Sequence, residues 1–249
     1  MLDIAIDAAK QAGELALKYF KTQPKVTYKP DKSPVTRTDI EAEKLIRKII
    51  SKNFPDHGII GEELPPLNPK AMYQWTVDPI DGTRDFIRGI PYWAVFIALL
   101  KENRPVAAVA YLPAMDKIIT AEKDQGTFIN TKRTKVSNTK KLSLTYMSFG
   151  SIKRFQKTKY LDGFLNLTET VSAPRSYGNL GLLFLLEGKI DVLLESQGGV
   201  YDFAAPALLV EEAGGKFSDF TGKFSLKSGN AVLSNRLLHN QVLKLLNEK

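Results

Sequence analysis

The sequence predicts a mixed α/β fold of stacked helices and sheets: two amphipathic helices open the chain, a strand-rich stretch fills its middle, and helix alternates with strand thereafter. Ile4, Ala8, Ala12, Leu15, Ala16 and Tyr19 fall on one face of a helix over residues 2 to 20, and Ala42, Leu45, Ile46, Ile49 and Ile50 repeat that spacing in a second. Pro30 to Pro34 break the chain between them. The second helix is expected to begin near Asp39, with Glu41 and Glu43 in a first turn whose dipole favours negative charge. Runs at 92–100, 105–112, 117–121 and 142–149, separated by turn residues, predict an antiparallel sheet region. Beyond Arg175 the pattern predicts a helix over 179–187, a strand from Ile190 to Leu194, and a helix from about Asp202 to Ala213 with Pro206 in its first turn, stopped by Gly214-Gly215. A last helix carries Leu238, Val242, Leu245 and Leu246 on one face. No repeat or low-complexity linker interrupts the pattern, so residues 1–249 read as a single domain. The basic stretch Lys132 to Lys141 offers a soft division into lobes 1–137 and 138–249.

Composition narrows the function. A hydrophobic content of 43% over 249 residues is enough for a substantial core. The net charge of +8 favours anionic ligands, yet the basic residues are scattered, and clusters such as Lys132-Arg133-Thr134-Lys135 and Lys153-Arg154 read as solvated surface without the aromatic motif of a nucleic-acid module. Nucleic acid is therefore not indicated as a partner. The absence of cysteine excludes disulfides, thiolate metal sites and a cysteine nucleophile, and suits a reducing compartment. Asp3 and Asp7 stand where a secretory signal would be basic, and the longest apolar run, Trp93 to Leu100, is too short to span a bilayer, so a cytoplasmic protein without a membrane partner is expected. Neither His57 nor His239 sits in an Arg-His-Gly signature, and no P-loop is present.

The chemistry concentrates in Asp78-Pro79-Ile80-Asp81-Gly82-Thr83, which follows the strand-like Trp75-Thr76-Val77. Pro79 fixes its own φ and Gly82 permits a left-handed backbone, so a turn is expected to carry both aspartates to one side, with Thr83 opening a helix. Gly61-Glu62-Glu63 places two more acids at what reads as another strand end. Converging carboxylates at two strand ends are the chemistry of a divalent-metal phosphatase. Taken singly, these residues also suit ordinary turns and caps: Asp39 and Asp202 each stand where a helix starts. The Asp-x-x-Asp spacing differs from the Asp-x-Asp of phosphatases that form an aspartyl-phosphate.

Asp31 to Asp39, Gly61 to Glu63, Trp75 to Thr83, and Tyr201-Asp202-Phe203-Ala204-Ala205 leading to Glu212-Ala213-Gly214-Gly215 together resemble, in order and over most of the chain, the inositol monophosphatase family of lithium-sensitive, magnesium-dependent phosphatases. The resemblance implies a layered αβαβα sandwich of the inositol monophosphatase and fructose-1,6-bisphosphatase type. It also implies hydrolysis of a small phosphate monoester by metal-activated water. Glu62, Asp78, Asp81, Asp202 and the carbonyl of Ile80 would bind two or three Mg²⁺ ions, as oxygen donors suit hard cations. Thr83 and Asp39, with Glu62, would activate the water, and the backbone N–H groups of Gly82 and Thr83 would meet phosphate. Glu195 would accept hydrogen bonds from substrate hydroxyls, Gly178 would approach the substrate and Arg175 would hold its loop. Glu63 would support a neighbouring ligand, and Lys32 would approach a third metal or the phosphate from a mobile loop. A homodimer is implied.

Two departures bear on the substrate. Asn179-Leu180-Gly181 replaces a hydroxyl residue and two alanines, and Arg84-Asp85-Phe86 replaces Thr-Asn-Phe. An inositol-1-phosphatase-like reaction is the leading expectation, with histidinol phosphate or 3′(2′),5′-bisphosphate nucleotides as alternative substrates. The charge of +8 also leaves an RNA- or transcription-associated regulatory protein as a reading of a different class.

Overall fold

The computed structural model describes residues 1–249 apart from Gln23, Asp31 and Lys249, so the first residue of the Asp31 to Asp39 motif lies outside the described residues. In chain order the elements are α1 (Leu2–Tyr19), β1 (Val26–Tyr28), β2 (Pro34–Thr36), α2 (Arg37–Asn53), β3 (Gly58–Gly61), β4 (Tyr73–Asp81), α3 (Thr83–Ile87), β5 (Ala94–Lys101), β6 (Arg104–Leu112), β7 (Lys117–Glu122), β8 (Gly126–Ile129) and β9 (Lys132–Thr134). There follow β10 (Tyr146–Phe149), α4 (Ile152–Phe155), α5 (Leu161–Thr170), β11 (Ala173–Arg175), α6 (Leu180–Leu186), β12 (Val192–Glu195), α7 (Val200–Glu212), β13 (Lys216–Ser218), β14 (Ala231–Ser234) and α8 (His239–Leu246).

The strands form a hairpin of β1 with β2 and two larger sheets. The larger sheet runs β3-β4-β5-β6-β7-β8-β9, parallel only between β3 and β4, and the smaller runs β11-β10-β12-β14-β13. Strand β5 shows how the layers follow from the pleat. Val95, Ile97 and Leu99 join the alanine face of α1 and the isoleucines of α2. Phe96, Ala98 and Leu100 point the other way, into a core shared with α6, α7 and the smaller sheet's Leu193, Phe217 and Leu233. Such a strand is apolar throughout because helices cover both of its faces. On the outer side of the smaller sheet, Met147, Val192, Leu194 and Val232 pack against Phe155, Phe164 and Leu167 and against Val242 and Leu246 of α8. The stacking is helix, sheet, helix, sheet, helix, the αβαβα sandwich expected. The central core takes residues from both sides of the division at 137. Among the described residues no helix is long and apolar enough to cross a membrane.

Several boundaries differ from expectation. The run 142–149 contributes β10, which leaves the antiparallel sheet and pairs in parallel with β11 and β12. Alternation identifies a strand but not its partner. The short strands β8 and β9 and the helix α5 were not anticipated. Helix α2 starts at Arg37 because Thr36 is its N-cap and Asp39 its N3 partner, each bonding back to the other. Glu43 therefore sits beyond the first turn and is buried. Likewise α7 begins at Val200, so Pro206 lies inside the helix and not in its first turn.

The histidines have structural places. His57 Nδ1 accepts from Trp75 Nε1 at 3.1 Å. His239, fully buried, lies between Ser218 Oγ at Nε2 and Ser234 Oγ at Nδ1, each at 2.8 Å. Burial, helped by the nearby charges of Lys216 and Arg236, holds the His239 pKa down at about 4 from 6.5. The unfolded chain thus takes up this proton first, and the stability His239 contributes is complete above about pH 6.5 and lost as pH falls toward 4, by about 3 kcal/mol at most. The unfolding midpoint of the wild type should fall more steeply between pH 7 and 4.5 than that of His239→Gln, a difference scanning calorimetry measures directly; parallel slopes would remove His239 as a cause.

Candidate metal and phosphate site

Strand β4 carries the site, and one irregularity makes it possible. Residues three apart on a regular strand face opposite sides of the sheet. The pairing of β4 with β5 shifts register between Asp78, opposite Phe96, and Asp81, opposite Ala94. The extra residue returns Asp81 to the side that Asp78 faces. Both aspartates thus stand at the end of a strand, where a free turn was expected. Asp78 Oδ1 accepts the N–H of Ile80 at 3.1 Å. Gly82 follows with φ +90°, and an added Cβ there would lie 2.9 Å from Asn179 Nδ2 and 3.1 Å from the carbonyl of Tyr92, so both conformation and space demand glycine.

The second half of the chain supplies Asp202, at the third position of α7, where it accepts the N–H of Gly199. Oxygens of Asp78, Asp81 and Asp202 lie within 4.8 Å of one another. Glu62 continues the parallel pairing beside β4, its N–H donating to the carbonyl of Val77 at 3.1 Å, and, beside burial, the charge of its carboxylate helps raise the pKa of Asp78. It stands outside the group of three. Lys29, from the loop joining β1 to β2, donates to Glu62 Oε1 and Glu63 Oε1, each at 2.8 Å.

Beside the triad, Thr83 Oγ1 lies 3.3 Å from Asp39 Oδ1 and 3.1 Å from the carbonyl of Ile80. The other oxygen of Asp39 is held by the N–H of Thr36 at 2.8 Å and by its hydroxyl. The two oxygens of Asp39 therefore have separate jobs, one anchoring the helix start and one facing Thr83. Across the opening, Glu195 ends β12, and a Cβ at Gly150 would overlap its carboxylate. Gly178 adopts φ +54° with Asp85 close against it, and Asn179 Nδ2 donates to the carbonyl of Asp81 at 2.7 Å. These residues enclose a cavity of about 650 Å³ that also takes in Arg84, Arg154 and Tyr201.

Not every expected residue reaches it. Arg175 ends β11 with an exposed side chain outside the cavity wall. Lys32 is exposed at φ +67°, and only its carbonyl approaches Arg84, 3.5 Å from Nη2. Lys29, three residues before it in the same hairpin, is the lysine that pairs with the acids, and nothing in the local sequence singles it out for that contact. Arg154 is exposed, as read, and also lines the cavity, where it lowers the pKa values of Asp81, Glu195 and Asp202.

The electrostatics are those of a site short of positive charge. Burial, then the charges of Glu62, Asp81 and Asp202, raises the pKa of Asp78 well above the carboxylate range. Burial and the charges of Asp202, Glu195 and Glu62 do the same to Asp81. Asp202 is pushed up to about 6 and Glu195 to about 7, burial being the larger cause in each. Burial also raises Glu63 to about 7 against the pull of Lys29. For Lys29 burial acts downward, and the hydrogen bonds and charges of Glu62 and Glu63 together outweigh it and raise its pKa. A donor set of carboxylates and a backbone carbonyl, reluctant to ionise unaided, fits a hard divalent cation.

The whole chain, residues 1–249, matches the inositol monophosphatase family. A histidinol-phosphatase of Mycobacterium tuberculosis is 35% identical over 253 residues, covering 99% of this chain and 97% of that protein. An inositol-1-monophosphatase of Mesorhizobium japonicum is 34% identical over 252 residues, covering 98% and 95%. The crystal structure of the extragenic suppressor protein suhB of Bartonella henselae superimposes with a TM-score of 0.92 at 30% identity, covering 99% of this chain and 98% of that one. Matched by the family over its whole length, and by relatives at 34 to 35% identity that it covers almost completely, this chain belongs to the inositol monophosphatase family.

Proposed function

We propose that the protein is a Mg²⁺-dependent phosphomonoesterase acting on a small phosphorylated metabolite in the cavity beside Asp78, Asp81 and Asp202. Family membership makes it a hydrolase of phosphoric monoesters. The observation that carries the fuller reading is the gathering of three carboxylates, from two distant parts of the chain, within 4.8 Å of one another and beside the Thr83–Asp39 pair. Glu62, Asp78, Asp81, Asp202 and the carbonyl of Ile80 would hold two or three ions. Bound magnesium supplies positive charge that neutralises phosphoryl oxygens and acidifies water. The chain does the rest. The Thr83 hydroxyl donates to Asp39 and so turns its lone pairs toward an incoming water, orienting it for in-line attack on phosphorus as the P–O bond to the alcohol breaks and the departing alkoxide takes a proton from solvent. Asp39, whose pKa is raised by burial against the pull of its bonds to Thr36, is suited to receive a proton through that hydroxyl. We extend the reading to a homodimer, as the resemblance implies, and to the cytoplasm, with which a cysteine-free chain is consistent. Light scattering on the purified protein would test the dimer.

For the ester, an inositol-1-phosphate-like substrate presents hydroxyls that Glu195 can accept. A second reading, histidinol phosphate, is supported by Asp85 against Gly178, which together with Glu195 offers carboxylates to a cationic leaving group, and by the likeness to a histidinol-phosphatase.

Three outcomes are expected. Asp81→Asn should abolish magnesium-dependent phosphate release while leaving the far-ultraviolet circular dichroism unchanged; undiminished turnover would reject the site. Because Asp202 and Glu195 keep their protons up to about pH 6 and 7, and a raised folded pKa favours the metal-free fold at low pH, magnesium should lift the unfolding midpoint strongly at pH 7.5 and weakly at pH 5.5. An equal lift at both values would contradict the proton–metal competition. In a phosphate-release assay on both esters, Asp85→Asn should lower kcat/KM for histidinol phosphate by about tenfold, or ~1.4 kcal/mol, and spare inositol 1-phosphate. Equal losses would exclude Asp85 as a recognition residue for the amine.

A further inference from the structure

One buried carboxylate close to the site takes no part in the chemistry above. Glu43 lies four residues beyond Asp39 on α2, on the same face of the helix, and is completely shielded from solvent. Its Oε2 accepts the N–H of Glu63 at 2.7 Å, and its Oε1 accepts from Arg47 Nε at 2.7 Å. Arg47 spends its two remaining nitrogens on the next backbone groups, Nη2 on the carbonyl of Leu64 at 2.9 Å and Nη1 on that of Pro65 at 2.8 Å. An ion pair one turn long thus grips three consecutive residues immediately after Glu62. From the other side, a Cβ added to Gly61 would overlap the Glu43 carboxylate, although Gly61 has no left-handed backbone to require glycine. The residues flanking Glu62 are therefore both fitted to Glu43, one by a hydrogen bond and one by the space left for it.

We propose that Glu43, braced by Arg47, is a positioning residue for Glu62: it fixes the backbone on both sides of that ligand, so that the Glu62 carboxylate is presented beside Asp78 without being ordered at the moment a metal binds. The inference rests on the metal reading of the site. Groups that hold a ligand in place are typically worth about 10- to 100-fold in metal affinity. Helix α2 then carries two functions four residues apart, Asp39 toward Thr83 and Glu43 toward the Glu62 turn, and the spacing of one helical turn locks them in relative position.

The test is magnesium titration of the full-length protein, read by isothermal calorimetry and by the shift of the unfolding midpoint, with phosphate release measured in parallel. Glu43→Ala should raise the magnesium concentration for half-saturation by about 10- to 100-fold, with kcat at saturating magnesium within about twofold of wild type. Glu43→Gln, which keeps an acceptor for the Glu63 N–H, should recover part of the loss, and Arg47→Met should reproduce an intermediate part of it. Asp191→Asn removes a buried carboxylate that accepts the N–H of Tyr146 at 2.8 Å and does not line the cavity; it should lower the midpoint and leave magnesium half-saturation unchanged. If Glu43→Ala behaves like Asp191→Asn, the role is structural and the proposal falls. Should Glu43→Ala fail to fold, wild-type half-saturation in both Glu43→Gln and Arg47→Met would overturn it equally. A wild type whose midpoint ignores magnesium sinks the metal reading and this inference with it; a responsive wild type matched by all three variants sinks this inference alone.

Discussion

Two unit charges 4.8 Å apart repel by about 3 to 4 kcal/mol at an effective dielectric of about 20. Asp78, Asp81 and Asp202 make three such pairs, so full ionisation of the triad opposes folding by roughly 10 kcal/mol, comparable with the whole stability of an ordinary domain at about 5 to 15 kcal/mol. Glu62, Glu195 and Glu63 add to the same field. A chain left to relax would splay these groups apart. It does not, so the constraint behind the rest of the structure is the rigid retention of mutually repelling acids. Protons, the ammonium of Lys29 and the guanidinium of Arg154 relieve only part of the repulsion.

Rigidity comes from placing each acid on an element whose position is fixed for other reasons. Asp78 and Asp81 are held by pairing to β5, the strand buried on both faces. Asp202 opens α7, a helix buried over nearly its whole circumference from Phe203 to Val210, so it cannot shift without disturbing the central core. Its carboxylate also belongs to the helix start, where it accepts the N–H of Gly199 in a field that favours negative charge. Glu62 is the exception, since it follows a strand of four residues at the sheet edge. That weakness explains why α2 reaches under it with Glu43 and Arg47.

What the sequence made legible divides along this line. The acids at strand ends could be read because Asp-Pro-Ile-Asp-Gly-Thr records its own backbone demands, down to the φ of Gly82. The αβαβα stack is readable from those motifs in order, whereas periodicity alone yields the elements but not their partners: β10 pairs in the smaller sheet and not with the antiparallel strands before it, since alternation is blind to register. Groups that act through tertiary contact are not legible in the local sequence. Arg154 looks like solvent charge, Lys29 is indistinguishable from Lys32, and Glu43 passes for a first-turn acid until Thr36 is known to be the cap. Each of these depends on a partner more than thirty residues away or on a helix start two residues earlier than expected.

The two walls of the cavity consequently differ in how freely they can change. The acidic wall is tied into the larger sheet and α7, where moving the backbone disturbs either a strand bulge or the central core. The facing wall, built from Asp85, Arg154, Gly178 and Asn179, lies on short helices and loops with solvent on one side. Apart from Gly178, whose φ of +54° strains any other residue, substitution there costs little packing and would, on the proposed reading, alter the shape and charge offered to the organic part of an ester. Asn179 joins the two, since its amide reaches the carbonyl of Asp81 and so ties the variable wall to the bulged strand. On the proposed reading, a change of substrate could therefore be made on one side of the cavity while the reaction is kept on the other, provided the loop that changes still delivers a donor to that one carbonyl.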